Sequence, residues 1–237
     1  MSIKAQTIGI IGAMEAEIAL LESQLNDLQT HSFVNDNFII YTGKIASKNI
    51  VLSLSGIGKV NATIATTLLS EHFHPDIIIN TGSAGAMSAD LHIGDVVIGT
   101  ETAHHDVDVT AFGYTFGQVP KQTARYASNS QLIHTATHAA QSFKNAHVQQ
   151  GLIVSGDQFI HQINDKARIL KYFPDVLAVE MEAAAIAQTC TQQKLPFVII
   201  RAISDGASDD ASISFEEFLQ IASQHSAQMV LNIINAL

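Results

Sequence analysis

Three carboxylates in the last third of the chain follow apolar runs that have the character of buried strands. Glu180 and Glu182 lie in LAVEMEAA, and Asp205 ends the run PFVIIRAISD. Open α/β sheets bind their ligands in the crevice beyond the carboxyl ends of the strands. Acids placed there are expected to meet a substrate rather than a solvent counterion, which favours an enzyme.

Each of these acids also has a simpler interpretation. Glu182 stands where a strand gives way to a helix, so its carboxylate could hold the vicinal hydroxyls of a sugar or merely interact with the helix dipole. Asp205 follows Ser204 and could act as a general acid, or as an N-cap or turn residue in SDGASDD. The residue types alone leave both alternatives open.

The loop GIIGAMEAE supplies two further acids, Glu15 and Glu17. Its glycines have the spacing GxxG, which does not match the GxGxxG fingerprint of dinucleotide-binding proteins. A turn of small residues before a helix can still bind an anion or a water molecule. Considered alone, the two glutamates are expected mainly to favour the first helical turn.

Two other loops could line a ligand site. In NTGSAGAM, Gly82 and Gly85 allow close approach of the backbone, and the Ser83 hydroxyl could hold a sugar or a phosphate. In VSGDQFI, Phe159 could stack on a flat heterocycle while the backbone of Ile160 reads its edge. A plain tight turn and an ordinary packing face are the respective alternatives.

Metal and thiol chemistry are disfavoured. The segment HHDVD contains His104, His105, Asp106 and Asp108, but the chain has neither an HExxH nor a paired CxxC pattern, so a polar loop is the better interpretation. The one cysteine, Cys190, lies on an apolar helical segment and is expected to pack rather than react.

Composition narrows the class of protein. The 237 residues are 47% hydrophobic, and 22 acidic against 12 basic side chains give a net charge of −10. Because the basic residues are scattered, nucleic-acid binding is not expected. No apolar stretch reaches transmembrane length, the amino terminus lacks a signal-peptide cleavage region, and a single cysteine excludes a disulfide framework. These features predict a cytoplasmic protein without membrane association.

Apolar runs alternate with amphipathic segments, which predicts one α/β domain over residues 1–237 with a largely parallel sheet covered on both faces. Strands are predicted in TIGIIGAM, twice in NFIIYTGKIASKNIVLSLSG, and in PDIIINTGSAG, GDVVIGTETA, HVQQGLIVSGD and LPFVIIRAISD. A helix is predicted after the first strand with Ile18, Leu21, Leu25 and Leu28 on one face, and another in GKVNATIATTLLSEHF with Val60, Ile64 and Leu68 on one face. Further helices are predicted near 129–143, 162–172 and 183–194. The last helix is predicted to begin at Ser214, whose spacing to Glu217 fits a capping box.

Seven motifs occur in order along nearly the whole chain: GIIGAMEAE, SGIGKVNA, PDIIINTGSAG, HHDVDVTAFGYTFGQVP, GLIVSGDQFI, AVEMEAAAIA and RAISD. In this combination they resemble the bacterial 5′-methylthioadenosine/S-adenosylhomocysteine nucleosidases of the nucleoside phosphorylase superfamily. The resemblance implies a three-layer αβα sandwich around a central mixed, largely parallel sheet. It also implies an enzyme that needs no metal and no organic cofactor.

The resemblance further implies hydrolysis of the bond between adenine N9 and ribose C1′ in 5′-methylthioadenosine and S-adenosylhomocysteine, with 5′-deoxyadenosine as a further substrate. The products are adenine and 5-methylthioribose or S-ribosylhomocysteine. By position, Glu17 would activate water, Asp205 would protonate adenine N7, Glu182 would hold the ribose hydroxyls, and Arg201 would help to place the water or its base. Because Asp205 must then be protonated near neutral pH, burial is expected to raise its pKa.

The same comparison of motifs assigns the remaining contacts with the substrate. Phe159 would stack on adenine and Ile160 would meet its edge. The other contacts implied are Met14, Ile57, Val109 and Phe215 at the sugar and its 5′ substituent, Met181 against the sugar, and Ser83, Ala84, Gly85, Glu180 and Ser204 along the site. The loop from Val109 to Pro120 would close the pocket of a neighbouring subunit with Phe112 and Pro120, which implies a homodimer.

Several alternatives remain open from the sequence. A phosphorylase of the same superfamily would need cationic side chains for phosphate, whereas the chain has only Arg125, Arg168 and Arg201 as arginines. A non-catalytic nucleoside-binding protein would not need both proposed catalytic acids, and a dinucleotide oxidoreductase lacks its fingerprint. Ala16 and Ala86 depart from the family pattern at positions that are not catalytic. The sequence does not determine the preference among 6-aminopurine nucleosides, the reaction rates or the pathway.

Overall fold

The computed structural model describes residues 5–143, 146–206 and 211–237, with backbone only at 211–214. The strands are β1 (Thr7–Gly12), β2 (Asn26–Phe33), β3 (Phe38–Ile45), β4 (Lys48–Leu54), β5 (Ile77–Ala86), β6 (Val96–His104), β7 (Tyr126–Ala127), β8 (Val148–Ser155), β9 (Val176–Glu180) and β10 (Phe197–Asp205). The helices are α1 (Glu15–Ser23), α2 (Lys59–Phe73), α3 (Ser130–Ala140), α4 (Ile163–Tyr172), α5 (Ala183–Gln193) and α6 (Ala211–Ala236), and a short 3₁₀ helix covers Thr110–Phe112.

The strands form one mixed sheet in the order β10-β6-β8-β9-β5-β1-β4-β3-β2, with β7 beside β6. A further pairing between β10 and β5 closes β5, β10, β6, β8 and β9 into a ring. The strands β1, β5 and β10 run parallel, whereas β9 runs antiparallel to β5. The ring brings the carboxyl ends of β5, β9 and β10 close together.

Helices cover both faces of this sheet, as predicted. Along β5, Ile77 and Ile79 belong to one core and Ile78 to the other, because successive side chains of a strand point to opposite faces. The first core also contains residues of α1, α3 and α6, and the second contains residues of α2 and α5. Each fully buried Ile or Leu stabilises such a layer by roughly 1.5–3 kcal/mol. The mixed α/β fold class with a central sheet is therefore confirmed.

The prediction for the segment after α1 was wrong. Helix α1 ends at Ser23, so Leu25 lies outside it and Leu28 lies in β2 with 46% exposure. Strand β2 is exposed along most of its length, so its sequence carries no alternation of apolar and polar residues. Its pairing with β3 overrides the helical spacing of the leucines.

The apolar stripe predicted on α2 faces the core only at Leu68, which is partly buried against the second core. Val60 is 70% exposed and Ile64 is 36% exposed, whereas Ala62, Ala65 and Leu69 on the other side of the helix are fully buried. The small side chains of Ala62 and Ala65 allow α2 to approach the sheet and α5 closely.

The last helix begins at Ala211 rather than at Ser214. The predicted capping box involves the Ser214 side chain, which lies outside the described residues. No helix among the described residues is long and apolar enough to cross a membrane.

Candidate active site

The carboxyl ends of β1, β5, β9 and β10 surround a cavity of about 350 Å³, a volume typical of small-molecule sites. The cavity is lined by Ala13, Met14, Glu17, Ile57, Ser83, Ala84, Gly85, Gln158, Phe159, Ile160, Val179, Glu180, Met181, Glu182, Ser204, Asp205 and Phe215. The fold therefore brings together both proposed catalytic acids and most of the predicted substrate contacts.

Glu17 is buried at the start of α1, and four hydrogen bonds hold its carboxylate. Oε2 accepts from the backbone N–H of Ala13 at 2.8 Å and of Met14 at 3.1 Å. Oε1 accepts from the backbone N–H of Ser83 at 2.8 Å and from its hydroxyl at 3.0 Å. These bonds join the β1–α1 turn to β5, so the carboxylate is fixed at the wall of the cavity.

Gly82 makes this arrangement possible because it has no side chain. A Cβ at this position would lie 2.7 Å from Glu17 Oε1 and would also collide with the guanidinium of Arg201. The register of the parallel strands places Gly82 directly beside Arg201. The glycine predicted to allow close approach thus lies between an acid and a cation of the site.

Arg201 organises the acidic side chains at the end of β9 and in the turn after it. Its guanidinium donates to Glu180 Oε2, to Asn80 Oδ1 at 2.8 Å, to the Ser83 carbonyl at 3.2 Å and to Glu182 Oε2 at 3.4 Å. Arg201 is only 1% exposed and lies behind the cavity wall rather than in it. Its position suits orientation of neighbouring groups rather than direct contact with a ligand.

Glu180 holds the turn that presents Glu182. Its Oε2 accepts from the backbone N–H groups of Glu182 at 3.0 Å and Ala183 at 2.8 Å, and Ser155 Oγ donates to its Oε1. The Ser155 hydroxyl in turn accepts from Ala184 N at 2.8 Å. The first turn of α5 is therefore satisfied by side chains of the sheet.

Glu182 is buried among other acids. Burial raises the pKa of Glu182 to about 8, with the negative charges of Glu180 and Glu17 adding to the shift and the charge of Arg201 opposing it. Its Oε1 also accepts a hydrogen bond from Gly58 N at 2.9 Å. The carboxyl group can therefore donate or accept toward a polar ligand near neutral pH.

Asp205 lies at the end of β10, where an irregularity in the pairing with β5 falls between Ile203 and Asp205. Bulges of this kind re-aim a side chain, and here the carboxylate contacts Gly85, whose added Cβ would lie 2.7 Å from Oδ2. Burial raises the pKa of Asp205, while a 2.9 Å hydrogen bond from Ser204 and the charge of Lys166 oppose the shift. The direction of this shift is the one expected from the sequence.

Aromatic and aliphatic side chains line the part of the cavity beside the loop after β8. Phe159 is 43% exposed and makes an edge contact with Phe215, with the ring centroids 5.6 Å apart. Ile160 is buried beside them. A flat heterocycle could lie against the exposed face of Phe159.

Three predicted contacts lie outside the cavity of their own chain. Val109, Phe112 and Pro120 belong to a surface loop, and Phe112 is 81% exposed.

The histidines that were considered as metal ligands, His104 and His105, are buried. His104 Nε2 forms a hydrogen bond with Gln188 Oε1 at 2.9 Å. Among the described residues, no group of three His, Cys, Asp or Glu side chains is arranged to hold a metal ion.

Sequence reasoning missed four residues of the site. Ala13, Gln158 and Val179 line the cavity, and Asn80 bonds to Arg201. Ala13, Gln158 and Val179 each adjoin a predicted site residue, and this adjacency was the only sequence feature that could have indicated them. Asn80 had a stronger signal, because an amide at the end of the apolar run IIIN needs a buried partner.

Comparison with known proteins identifies the family. The family model of the phosphorylase superfamily matches residues 7–235. The 5′-methylthioadenosine/S-adenosylhomocysteine nucleosidase of Anoxybacillus flavithermus is 50% identical over 233 residues, which are 97% of this chain and 98% of the relative.

Solved structures give the same result. The nucleosidase of Neisseria meningitidis in complex with methylthio-immucillin-A has a TM-score of 0.95 and 56% identity, covering 98% of this chain and 100% of that one. The nucleosidase of Colwellia psychrerythraea in complex with adenine has a TM-score of 0.94 and 40% identity, covering 100% and 98%. The chain belongs to the 5′-methylthioadenosine/S-adenosylhomocysteine nucleosidases of the phosphorylase superfamily.

Proposed function

We propose that the chain hydrolyses the N-glycosidic bond of 5′-methylthioadenosine and S-adenosylhomocysteine, with Glu17 as general base and Asp205 as general acid. Members of the family are N-glycosyl hydrolases, and relatives have been solved with adenine and with methylthio-immucillin-A. The observation that carries the division of labour is that Glu17 and Asp205, two of the four buried acids that line the cavity, lie in different environments. Backbone and hydroxyl donors surround the Glu17 carboxylate, whereas burial raises the pKa of Asp205.

On the water side, Glu17 takes a proton from the attacking water molecule while the water oxygen forms a bond to ribose C1′. The carboxylate is already held by four donors, so it does not need to reorganise during the reaction. Arg201 acts through Glu180, Glu182 and Ser83, which it orients from behind the wall. It is thus a positioning residue in this proposal.

On the leaving-group side, the electrons of the C1′–N9 bond pass into adenine as that bond breaks. Asp205 gives its proton to N7, so adenine leaves as a neutral molecule. An oxocarbenium-like sugar forms between the two acids, as in an inverting glycosidase. Phe159 and Ile160 hold the base, and Glu182 binds the ribose hydroxyls with Met181 against the sugar.

Hydrolysis is favoured over phosphorolysis by the lining of the cavity. Among the described residues that line it, none is Lys or Arg, whereas a phosphate site needs cationic or multiple N–H donors. A phosphate ion would also meet the acidic side chains of Glu17 and Glu180. Water is the nucleophile that suits this environment.

The test is incubation with 5′-methylthioadenosine in the presence and absence of inorganic phosphate. We expect adenine and free 5-methylthioribose in equal amounts under both conditions, at the same rate. Formation of 5-methylthioribose 1-phosphate only when phosphate is present would identify a phosphorylase. Binding without release of adenine would support the non-catalytic alternative.

The proposal includes a homodimer in which the loop from Val109 to Pro120 acts in trans. Phe112 is 81% exposed, and Val60 and Ile64 on α2 form an exposed apolar stripe. Large exposed apolar side chains favour an interface. A partner's loop would complete the 5′ end of the cavity beside Met14 and Ile57, where the substituent on sulfur must lie.

Mixed dimers test this trans arrangement. Phe112→Ala is expected to raise KM for 5′-methylthioadenosine about tenfold, which corresponds to roughly 1.4 kcal/mol of lost apolar contact. Glu17→Gln protomers are expected to be inactive. In a heterodimer of the two, the site with intact Glu17 receives an intact Phe112 from its partner, so wild-type KM and about half the wild-type rate are expected. A heterodimer with the KM of Phe112→Ala would show that the loop acts within its own chain.

The whole chain, residues 1–237, acts as one nucleosidase domain in this proposal. We place it in the cytoplasm, where its buried free Cys190 stays reduced.

A further inference from the structure

Three charged residues that have no role in the proposed chemistry lie together beside the site. Lys59 begins α2, Asp106 follows β6, and Asp157 follows β8. Lys59 Nζ forms a 2.7 Å ion pair with Asp106 Oδ1, and the other carboxylate oxygen of Asp106 accepts from Asp157 N at 3.0 Å. Asp157 Oδ1 accepts from Lys59 N at 2.8 Å, which completes a closed set of contacts among the three residues.

The amino end of α2 binds two acidic side chains, those of Glu182 and Asp157. The N-cap residue is Gly58, at φ 96°, which has no side chain to satisfy the free N–H groups of the first turn. Glu182 Oε1 accepts from Gly58 N at 2.9 Å, and Asp157 caps the next N–H from a distance of 98 residues in sequence. One helix end therefore holds both the proposed ribose-binding carboxylate and the start of the base-binding loop.

Asp157 is itself held in place. Burial would raise the pKa of Asp106, but the hydrogen bonds from Lys59 Nζ and Asp157 N outweigh it, so its pKa lies below the ordinary value. Asp106 is thus charged at neutral pH and accepts the hydrogen bond from the backbone N–H of Asp157. The preceding residue is fixed too, because Gly156 N donates to the Glu180 carbonyl at 3.2 Å.

We propose that Asp157 is a positioning residue, which fixes the loop 156–160 to the helix end that also holds Glu182. Asp157 does not line the cavity, whereas Gln158, Phe159 and Ile160, the next three residues, do. The distance between the base-binding and the sugar-binding parts of the site is then set by the amino end of α2. This inference rests on the proposed binding of adenine beside Phe159 and of ribose at Glu182.

The competing interpretation is that Asp157 only caps α2 and stabilises the fold. The two differ in what Asp157→Ala changes. A positioning role predicts a KM for 5′-methylthioadenosine about tenfold higher and a similar loss of affinity for free adenine, with kcat changed less. A purely structural cap predicts a lower melting temperature with KM and adenine affinity unchanged.

Two variants make the comparison sharp. Asp157→Asn retains an oxygen that can accept from Lys59 N, so we expect it to restore most of the adenine affinity. Glu71→Ala, which removes an exposed acid in the last turn of α2, is the matched control and should behave like wild type. Because Asp157 lies near the proposed dimer face, sedimentation must show an unchanged oligomeric state for all variants.

A double-mutant cycle with Asp106→Ala completes the test. If Asp106 acts by holding Asp157, the double variant should lose no more adenine affinity than the more affected single variant. Additive losses, a Glu71→Ala effect of equal size, or a loss explained by dissociation of the dimer would overturn the inference. Adenine release by the wild type tests the proposed function separately, since these outcomes compare variants with an active parent.

Discussion

Asp205→Asn is expected to lower the rate of adenine release from 5′-methylthioadenosine by ~10²- to 10⁴-fold, the usual contribution of a general acid. The amide has nearly the same shape and can keep the bond from Ser204, but it cannot supply a proton to N7. The fold and the affinity for substrate should therefore change little. Single-turnover rates and equilibrium binding of substrate to the variant separate these two quantities.

The dependence on pH gives this prediction a sign. Asp205 acts as an acid only when protonated, so the activity it supplies is complete below its pKa and is lost as the pH rises through it. Because burial raises this pKa, the falling limb of kcat/KM should lie above the range of an ordinary aspartate, whose pKa is about 3.9. The limb should disappear in Asp205→Asn. An unchanged alkaline limb in that variant would assign the titration to another group.

Glu17→Gln is expected to lower hydrolysis by a similar factor, ~10²- to 10⁴-fold, because a neutral amide cannot take a proton from water. The substitution also exchanges one acceptor oxygen for an NH₂ group that faces N–H donors of Ala13 and Met14 or of Ser83. Thermal unfolding must therefore be measured beside the steady-state rate. A folded variant with lost activity is the expected result.

Glu15→Gln is the matched control for this experiment. Glu15 lies two residues earlier in the same helical turn but is exposed and does not line the cavity. It should retain near-wild-type activity. Loss of activity in Glu15→Gln together with retention in Glu17→Gln would move the base to Glu15.

The elements of the site were more predictable than their roles. The apolar runs that become β1, β5 and β10 are visible as strands because they are buried on both faces. Because these strands run parallel, the polar groups at their carboxyl ends lie at the same edge of the sheet. The separate roles of Glu17 and Asp205, however, came from the resemblance to a family and not from residue type.

What the sequence could not show depends on contacts between distant segments. Glu17 looked like an ordinary first-turn acid, and only the bonds from Ser83, 66 residues away, make it a buried wall of the site. Val60 and Ile64 marked the correct helix but not which side of it would be buried. Strand β2 depends on pairing with β3, which local spacing does not encode.

The central claim, that Asp205 serves the leaving group and Glu17 serves the water, is tested most directly by a substrate whose leaving group needs no proton. A 5-methylthioribofuranoside of 4-nitrophenol is suitable, because nitrophenolate leaves as an anion. On this substrate we expect Asp205→Asn to act within about tenfold of the wild type, while Glu17→Gln remains impaired by ~10²-fold or more. If Asp205→Asn is as impaired on the nitrophenyl riboside as on 5′-methylthioadenosine, Asp205 is not the acid that releases adenine.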